Sequence, residues 1–179
     1  MVYIHLATGF EEVEAITTCD YLRRAGIKTK LVSIEGAKVR GAHNIAIDAD
    51  LLFNEADYNL CQAIVLPGGL PGTTNLMAHQ DLRNEILKAN KQGKLICAIC
   101  AAPMILGDLG IINGKTVTIY PGLDEKLTGA HYEDSVAIRD GNIITSRGPA
   151  TAVDFALKII EAIKDNKASE EIKKDITLY

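Results

Sequence analysis

Gly93-Lys94-Leu95-Ile96-Cys97-Ala98-Ile99-Cys100-Ala101-Ala102-Pro103 is the stretch that decides the fold. Leu95 to Ile99 is a continuous apolar run, the pattern of a strand buried on both faces. Pro103 cannot continue a central strand but suits the first turn of a helix. The chain must turn sharply between them, and Cys100 falls at the turn, over the carboxyl end of the strand. A helix N-terminus beside it carries partial positive charge in unpaired N–H groups. This predicts a site that favours the thiolate, which is the nucleophilic form of cysteine. Ala101 and Ala102 leave room for a substrate. The pattern is that of a nucleophile elbow, with sulfur in place of a serine hydroxyl.

The same alternation of strands and helices extends in both directions. Val2 to Ala7 reads as a strand and Glu11 to Ala25 as a helix, with Val13, Ile16, Thr17, Tyr21 and Leu22 on one face. Lys28 to Ile34 reads as a strand, and residues 35–50 as a hairpin excursion. Ala63 to Leu66 is an apolar strand stopped by Pro67-Gly68-Gly69, and Asp81 to Gln92 a helix with Leu82, Ile86 and Leu87 inward. A helix then runs from Pro103 to about Leu109, followed by a strand over Val117 to Tyr120. Val136 to Arg139 and Ile143 to Ser146 flank Asp140-Gly141-Asn142, a hairpin signal. Ala150 to Lys164 and residues 168–179 read as two last helices. This order predicts an α/β fold: a doubly wound, mostly parallel sheet sandwiched by helices, in one domain over residues 1–179. Ligands of such sheets collect at the carboxyl ends of the strands.

Composition narrows the function. The 179 residues carry 19 basic and 23 acidic side chains without a basic block, which argues against nucleic acid. The apolar run Val2 to Ala7 is too short for a signal or a membrane span, so no membrane role and a cytoplasmic location are expected. Four cysteines without a secretory signal predict reduced thiols rather than a disulfide framework. No metal is expected, because Cys97 and Cys100 form a lone C-x-x-C without a second pair to complete a zinc site, and no cofactor is expected. Strand alternation puts Cys97 in the core on the face opposite Cys100.

Glu14 follows Val13 in the first helical turns. Facing the sheet, it would have a raised pKa and could move a proton beside the sulfur. Gly68, Gly69 and Ala101 can offer backbone N–H groups to a developing oxyanion. His5 and His79 read as structural. His131-Tyr132-Glu133 has the His-x-Glu form of a triad's remainder, in a loop.

Five motifs together resemble one family. They are Gly9-Phe10-Glu11-Glu12-Val13-Glu14, Arg23-Arg24-Ala25-Gly26-Ile27-Lys28, Val65-Leu66-Pro67-Gly68-Gly69, Ala98-Ile99-Cys100-Ala101-Ala102-Pro103 and Thr145-Ser146-Arg147-Gly148-Pro149. The chain resembles the ThiJ/PfpI superfamily in its DJ-one/YajL-like branch. The resemblance implies a flavodoxin-like, class I glutamine amidotransferase-like sandwich and a homodimer that uses the first helix. It implies Cys100 as an oxidisable nucleophile, Glu14 as its protonated partner, and Arg24 near the pocket entrance across the dimer. The function implied is a stress-response protein acting on reactive carbonyls, by glyoxalase or deglycase chemistry through a Cys100 hemithioacetal. The alternative is a redox sensor or chaperone-like protein working through oxidation of Cys100 to sulfinate. The partner is then a small carbonyl substrate or an oxidant. Three departures matter. Ala101 stands where the superfamily's proteases have histidine. Tyr120 precedes Pro121 where the branch often has histidine, and His43 stands where it often has arginine. No late His-Pro-Glu is visible, so neither protease nor amidotransferase is expected; Tyr120, Arg24, His43 and His131 are the remaining pocket candidates.

Overall fold

The computed structural model describes residues 1–178. In chain order the elements are β1 (Val2–Leu6), α1 (Glu12–Arg24), β2 (Thr29–Ser33), β3 (Lys38–Arg40), β4 (Ala46–Asp48), β5 (Leu51–Leu52) and β6 (Ala63–Leu66). There follow α2 (Gly72–Ala78), α3 (Gln80–Lys91), β7 (Leu95–Ile99), α4 (Pro103–Asp108), β8 (Thr116–Val117) and β9 (His131–Tyr132). The chain ends with β10 (Ala137–Asp140), β11 (Ile143–Ser146), α5 (Ala152–Ile163) and α6 (Asn166–Asp175).

Seven strands form one sheet in the order β10-β11-β7-β6-β1-β2-β5. Every pairing in it is parallel except β10 with β11, the antiparallel hairpin expected around Gly141. The register sets Ile4 opposite Val65 and Val65 opposite Cys97. Both faces are covered. One apolar layer holds Ile4, Cys97 and Ile99 of the sheet against Leu22 of α1, Phe155 and Ile159 of α5, and Ile172 of α6. The other holds Ile64, Ile96 and Ala98 against Leu76 of α2, Leu82 and Ile86 of α3, and Leu106 of α4. Double burial is why β6 and β7 read as unbroken apolar runs rather than alternating ones. After β1 the chain winds to β2 on one side; β6 returns to the other. The turns after β1 and β6 therefore open a crevice at the carboxyl edge. The fold class foreseen from the sequence is the one observed.

Several details differ. The stripe of Val13 and Ile16 is not the buried face of α1, since these side chains are 50% and 41% exposed. The helix instead buries Glu12, Glu14, Ala15, Thr18, Cys19 and Leu22. On α3, Leu87 is also exposed, while Leu82 and Ile86 are buried. Helix α2 was not foreseen. The strand expected at Val117 to Tyr120 shrinks to β8, which pairs with β9 outside the main sheet. Tyr120 leaves that ladder because its N–H donates to the Cys100 carbonyl, at 2.9 Å. The last helix starts earlier than expected, at Asn166, and ends at Asp175; its expected end at Tyr179 lies outside the described residues.

Cys97 and Cys100 were expected on opposite faces, but both pack in the layer that contains Phe155. Strand alternation stops at Ile99, and the turn swings Cys100 back to the side of Cys97. The thiols of all four cysteines are free and buried.

The fully buried Phe155 joins α5 to the sheet. Phe155→Ala is expected to destabilise the chain by about 3–5 kcal/mol through the lost burial and the cavity left behind. Urea unfolding measures this; a change below about 1 kcal/mol would mean that this layer is not the core.

Candidate functional site

Three neighbouring strands deliver the site: β1 leads to Glu14, β6 to Gly68 and Gly69, and β7 to Cys100. Cys100 adopts the left-handed backbone, at φ 63°. That conformation is uncommon for a residue with a side chain, and it is held here from both sides. The Cys100 N–H donates to the Ser146 carbonyl at 3.0 Å, and the Cys100 carbonyl accepts from Tyr120 N–H at 2.9 Å. Pro103 then opens α4 at its first turn, as expected. The residue is 9% exposed, at the margin of the core.

Glu14 projects from the inner face of α1 and is 1% exposed. Its Oε2 accepts the Gly68 N–H at 2.7 Å. Gly68 is required between the two groups. A Cβ there would lie 2.6 Å from the Cys100 Cβ and 2.9 Å from Glu14 Oε2. Gly69 has φ 85°, and a Cβ on it would lie 2.4 Å from the Glu11 nitrogen. One expectation is corrected. The Gly68 amide is committed to Glu14 and does not serve an oxyanion. The amides of Gly69 and Ala101 face the sulfur instead.

Burial dominates the charge balance. It pushes the Glu14 carboxyl up to about 7, against the Gly68 amide and the nearby Cys100 side chain. It also pushes the Cys100 thiol up to about 12, with Glu14 adding to the rise and the Gly69 and Ala101 amides opposing it. The expectation that the helix end by itself makes Cys100 a thiolate is not met, because α4 has six residues and its dipole does not outweigh burial. The pair is the titrating unit. It releases one proton near about 7 and retains the second to about 12. Glu14 Oε1 is buried and lacks a hydrogen-bond partner. A bare charge on such an oxygen is costly, whereas an O–H there can point at the sulfur. The sulfur has two amides to stabilise a charge. Taken singly, the two values put the charge on Glu14; the unpartnered Oε1 and the two amides on sulfur argue for the reverse, and we propose that the retained proton sits on Glu14 and the negative charge on Cys100.

Tyr120 is half exposed beside Cys100 and packs against Gly148, where a Cβ would lie 3.3 Å from its ring. With Pro121, Arg147 and Pro149 it lines a shallow cleft of about 200 Å³. Arg147 pairs with Asp134 there. Ser146 is a site residue that sequence reasoning missed: its carbonyl anchors Cys100, and its hydroxyl is bonded to Val136 O and Thr151 Oγ1. Its only signal was membership of the Thr145–Pro149 motif.

The other expected residues divide. His43 sits over the start of α1, with Nδ1 3.0 Å from Glu12 Oε2 and 3.6 Å from Glu11 Oε2. Among the described residues, these three side chains bring donor atoms close enough to share a metal ion. Arg24 lies ten residues beyond Glu14 on α1, about 15 Å along the axis, and pairs with Asp20 and Asp175. The chain does not bring it to its own Cys100. His131 is exposed in β9 opposite Thr116, and it is not among the residues lining the Tyr120 cleft. His79 caps α3 by accepting the Leu82 N–H, and His5 is buried against the Tyr58 hydroxyl at 2.6 Å. Burial drives the His5 pKa down to about 3, so it stays neutral.

A family model described as the DJ-1/PfpI family matches residues 1–162. Protein dj-1beta of Drosophila melanogaster is 38% identical over 175 residues, covering 96% of this chain and 93% of the relative. A Caenorhabditis elegans relative named glutathione-independent glyoxalase DJR-1.2 is 35% identical, covering 94% of this chain and 90% of its own. Among solved structures, oxidized Toxoplasma gondii DJ-1 superposes with a TM-score of 0.94 at 30% identity, covering 98% of this chain and 97% of the other.

If Glu14 holds the proton and Cys100 the charge, Glu14→Leu removes the donor that stabilises the thiolate, so less of the thiol ionises. Alkylation of Cys100 by iodoacetamide near neutral pH is then expected to slow at least roughly tenfold. Faster alkylation would mean that Glu14 carried the negative charge.

Proposed function

The chain belongs to the DJ-1/PfpI family, and from that premise we propose that it acts on small reactive carbonyls through a covalent Cys100 adduct. What supports the reading is one arrangement: a sulfur held at a sharp turn between the Gly69 and Ala101 amides, with a buried acid beside it. The glyoxalase name of the nematode relative points the same way.

With methylglyoxal, the Cys100 thiolate attacks the aldehyde carbon. A C–S bond forms, and the carbonyl electron pair moves to oxygen, where Glu14 supplies the proton. The Glu14 carboxylate then removes that carbon's hydrogen as a proton, leaving an enediolate, and returns it to the adjacent carbon, while the first carbon's hydroxyl proton passes to the second oxygen. The first carbon becomes a thioester, which water hydrolyses to free the thiol. The sum is methylglyoxal plus water giving lactate, without glutathione. The Gly69 and Ala101 amides stabilise the oxyanion where charge develops. The same adduct chemistry would serve a glycated amine, the deglycase form of the reaction.

Tyr120 favours a second reading. A phenol is a poor base near neutral pH. Among the described residues, no histidine acts on Cys100. Oxidation of Cys100 by peroxide to sulfenic and then sulfinic acid needs no such base, and Glu14 would hydrogen-bond the oxidised sulfur. In this reading the chain is a redox sensor in oxidative stress, with any chaperone-like role following the oxidation. Either reading is compatible with a homodimer through α1, whose exposed Val13 and Ile16 leave an apolar face uncovered. The role of Arg24 across the dimer rests on that assembly. None of the helices among the described residues is long and apolar enough to cross a membrane.

Lactate formation from methylglyoxal is expected to fall at least roughly a hundredfold in Cys100→Ser, because an unactivated hydroxyl is a far weaker nucleophile. Equal rates would remove the enzymatic reading. For the sensor reading, mass spectrometry after limited peroxide should find Cys100 oxidised first. Earlier oxidation of Cys19, Cys61 or Cys97 would remove it.

A further inference from the structure

We propose that Glu11, Glu12 and His43 form a binding site for a divalent cation of the zinc type, beside the Cys100 pocket and independent of its chemistry. No metal was expected from the residue pattern; the fold creates the cluster by laying the β3–β4 hairpin over the start of α1. The Ala42 N–H donates to the Phe10 carbonyl at 2.8 Å. The N–H groups of His43 and Ile45 donate to Glu12 Oε1 at 2.8 and 3.3 Å. Those bonds fix the imidazole over the two carboxylates and occupy one Glu12 oxygen, leaving Oε2 to face it. Backbone support of this kind orients a ligand carboxylate as an outer shell does in metal sites.

The spacing suits a small tetrahedral ion. His43 Nδ1 is 3.0 Å from Glu12 Oε2 and 3.6 Å from Glu11 Oε2. One ligand atom from each residue lies within 4.8 Å of the others. Zinc bonds of about 2.0–2.1 Å to N and O put neighbouring ligands of a tetrahedron about 3.3–3.4 Å apart. The three atoms need only small shifts to reach that arrangement.

The charge also calls for a cation. Glu11 and Glu12 are adjacent carboxylates, 9% and 4% exposed. Glu11 has no hydrogen bond to its carboxylate among those of the described residues, and that carboxylate points at His43. The hairpin's own cation, Arg40, is turned to Asn44 and does not neutralise the pair. The cation that faces the pair is a protonated His43, one charge against two carboxylates; a dication held by the neutral imidazole would supply two. One imidazole with two carboxylates is a borderline donor set that suits zinc better than magnesium or calcium, which prefer more oxygen ligands. The His43 side chain is 67% exposed, so the fourth position opens to solvent. The site adjoins the pocket, because the Glu11 N–H donates to the Gly68 carbonyl at 2.9 Å.

The test uses the full-length chain stripped of metal. Zn²⁺ is titrated by calorimetry and Co²⁺ by visible absorption, with His43→Ala, Glu11→Gln and Cys100→Ser alongside. The expected result is one Zn²⁺ per chain, at least tenfold weaker binding in His43→Ala and in Glu11→Gln, and unchanged binding in Cys100→Ser. Bound Co²⁺ should show d–d bands without sulfur-to-cobalt charge transfer. Melting of the metal-free variants checks that the exposed His43 was removed without loss of fold. Absence of Zn²⁺ binding, equal binding by His43→Ala, or a charge-transfer band lost in Cys100→Ser would overturn the proposal.

Discussion

The left-handed backbone of Cys100 is the constraint on which the rest of the site depends. Holding a side chain at φ 63° costs about 1–2 kcal/mol relative to ordinary conformations. The cost is met by two hydrogen bonds, from the Cys100 N–H to Ser146 and from Tyr120 N–H to the Cys100 carbonyl. Both neighbours are themselves fixed: Ser146 ends β11, which is paired with β7, and its hydroxyl is anchored to Val136 and Thr151. The parallel register of β7 and β11 thus determines where the sulfur points. Without that turn Cys100 would continue the strand and bury its sulfur as Cys97 does.

The second requirement is a carboxyl group in a place with almost no water. Helix α1 turns Glu14 inward and leaves Val13 and Ile16 outward, the reverse of what side-chain hydrophobicity alone would choose. Burying an acid there is unfavourable unless it stays protonated or is well bonded. Gly68 supplies one bond to Oε2, and its lack of a side chain lets the acid and the sulfur approach. The unpartnered Oε1 supplies the reason for the proton. Stability is spent on a group that the core would exclude, and the result is a buried acid beside a sulfur.

Much of this was legible in the residues. The apolar runs Ala63 to Leu66 and Leu95 to Ile99 read as buried parallel strands because both faces of β6 and β7 are covered. Pro103 marked the turn, since its ring can only follow a break in the strand. Cys100 and Glu14 were singled out from the strand-to-helix turn and the first turns of α1, and the fold brings the two together. What could not be read depended on contacts distant in sequence. The Gly68 amide belongs to Glu14 rather than to an oxyanion, a choice made by a residue 54 positions away. Val13 and Ile16 misled because an apolar stripe does not say whether its partner is the sheet or another surface. The cluster of Glu11, Glu12 and His43 was hidden for the same reason: an exposed hairpin places His43 beside residues 31 positions earlier.

The central claim is that the negative charge of the pair rests on sulfur while Glu14 keeps the proton. Infrared spectroscopy of the full chain at a pH just above the first ionisation, near about 7, reads both groups at once. The account predicts a protonated-carboxyl C=O band that vanishes in Glu14→Gln, with no S–H stretch assignable to Cys100. A Cys100 S–H stretch accompanied by a Glu14 carboxylate band would contradict it.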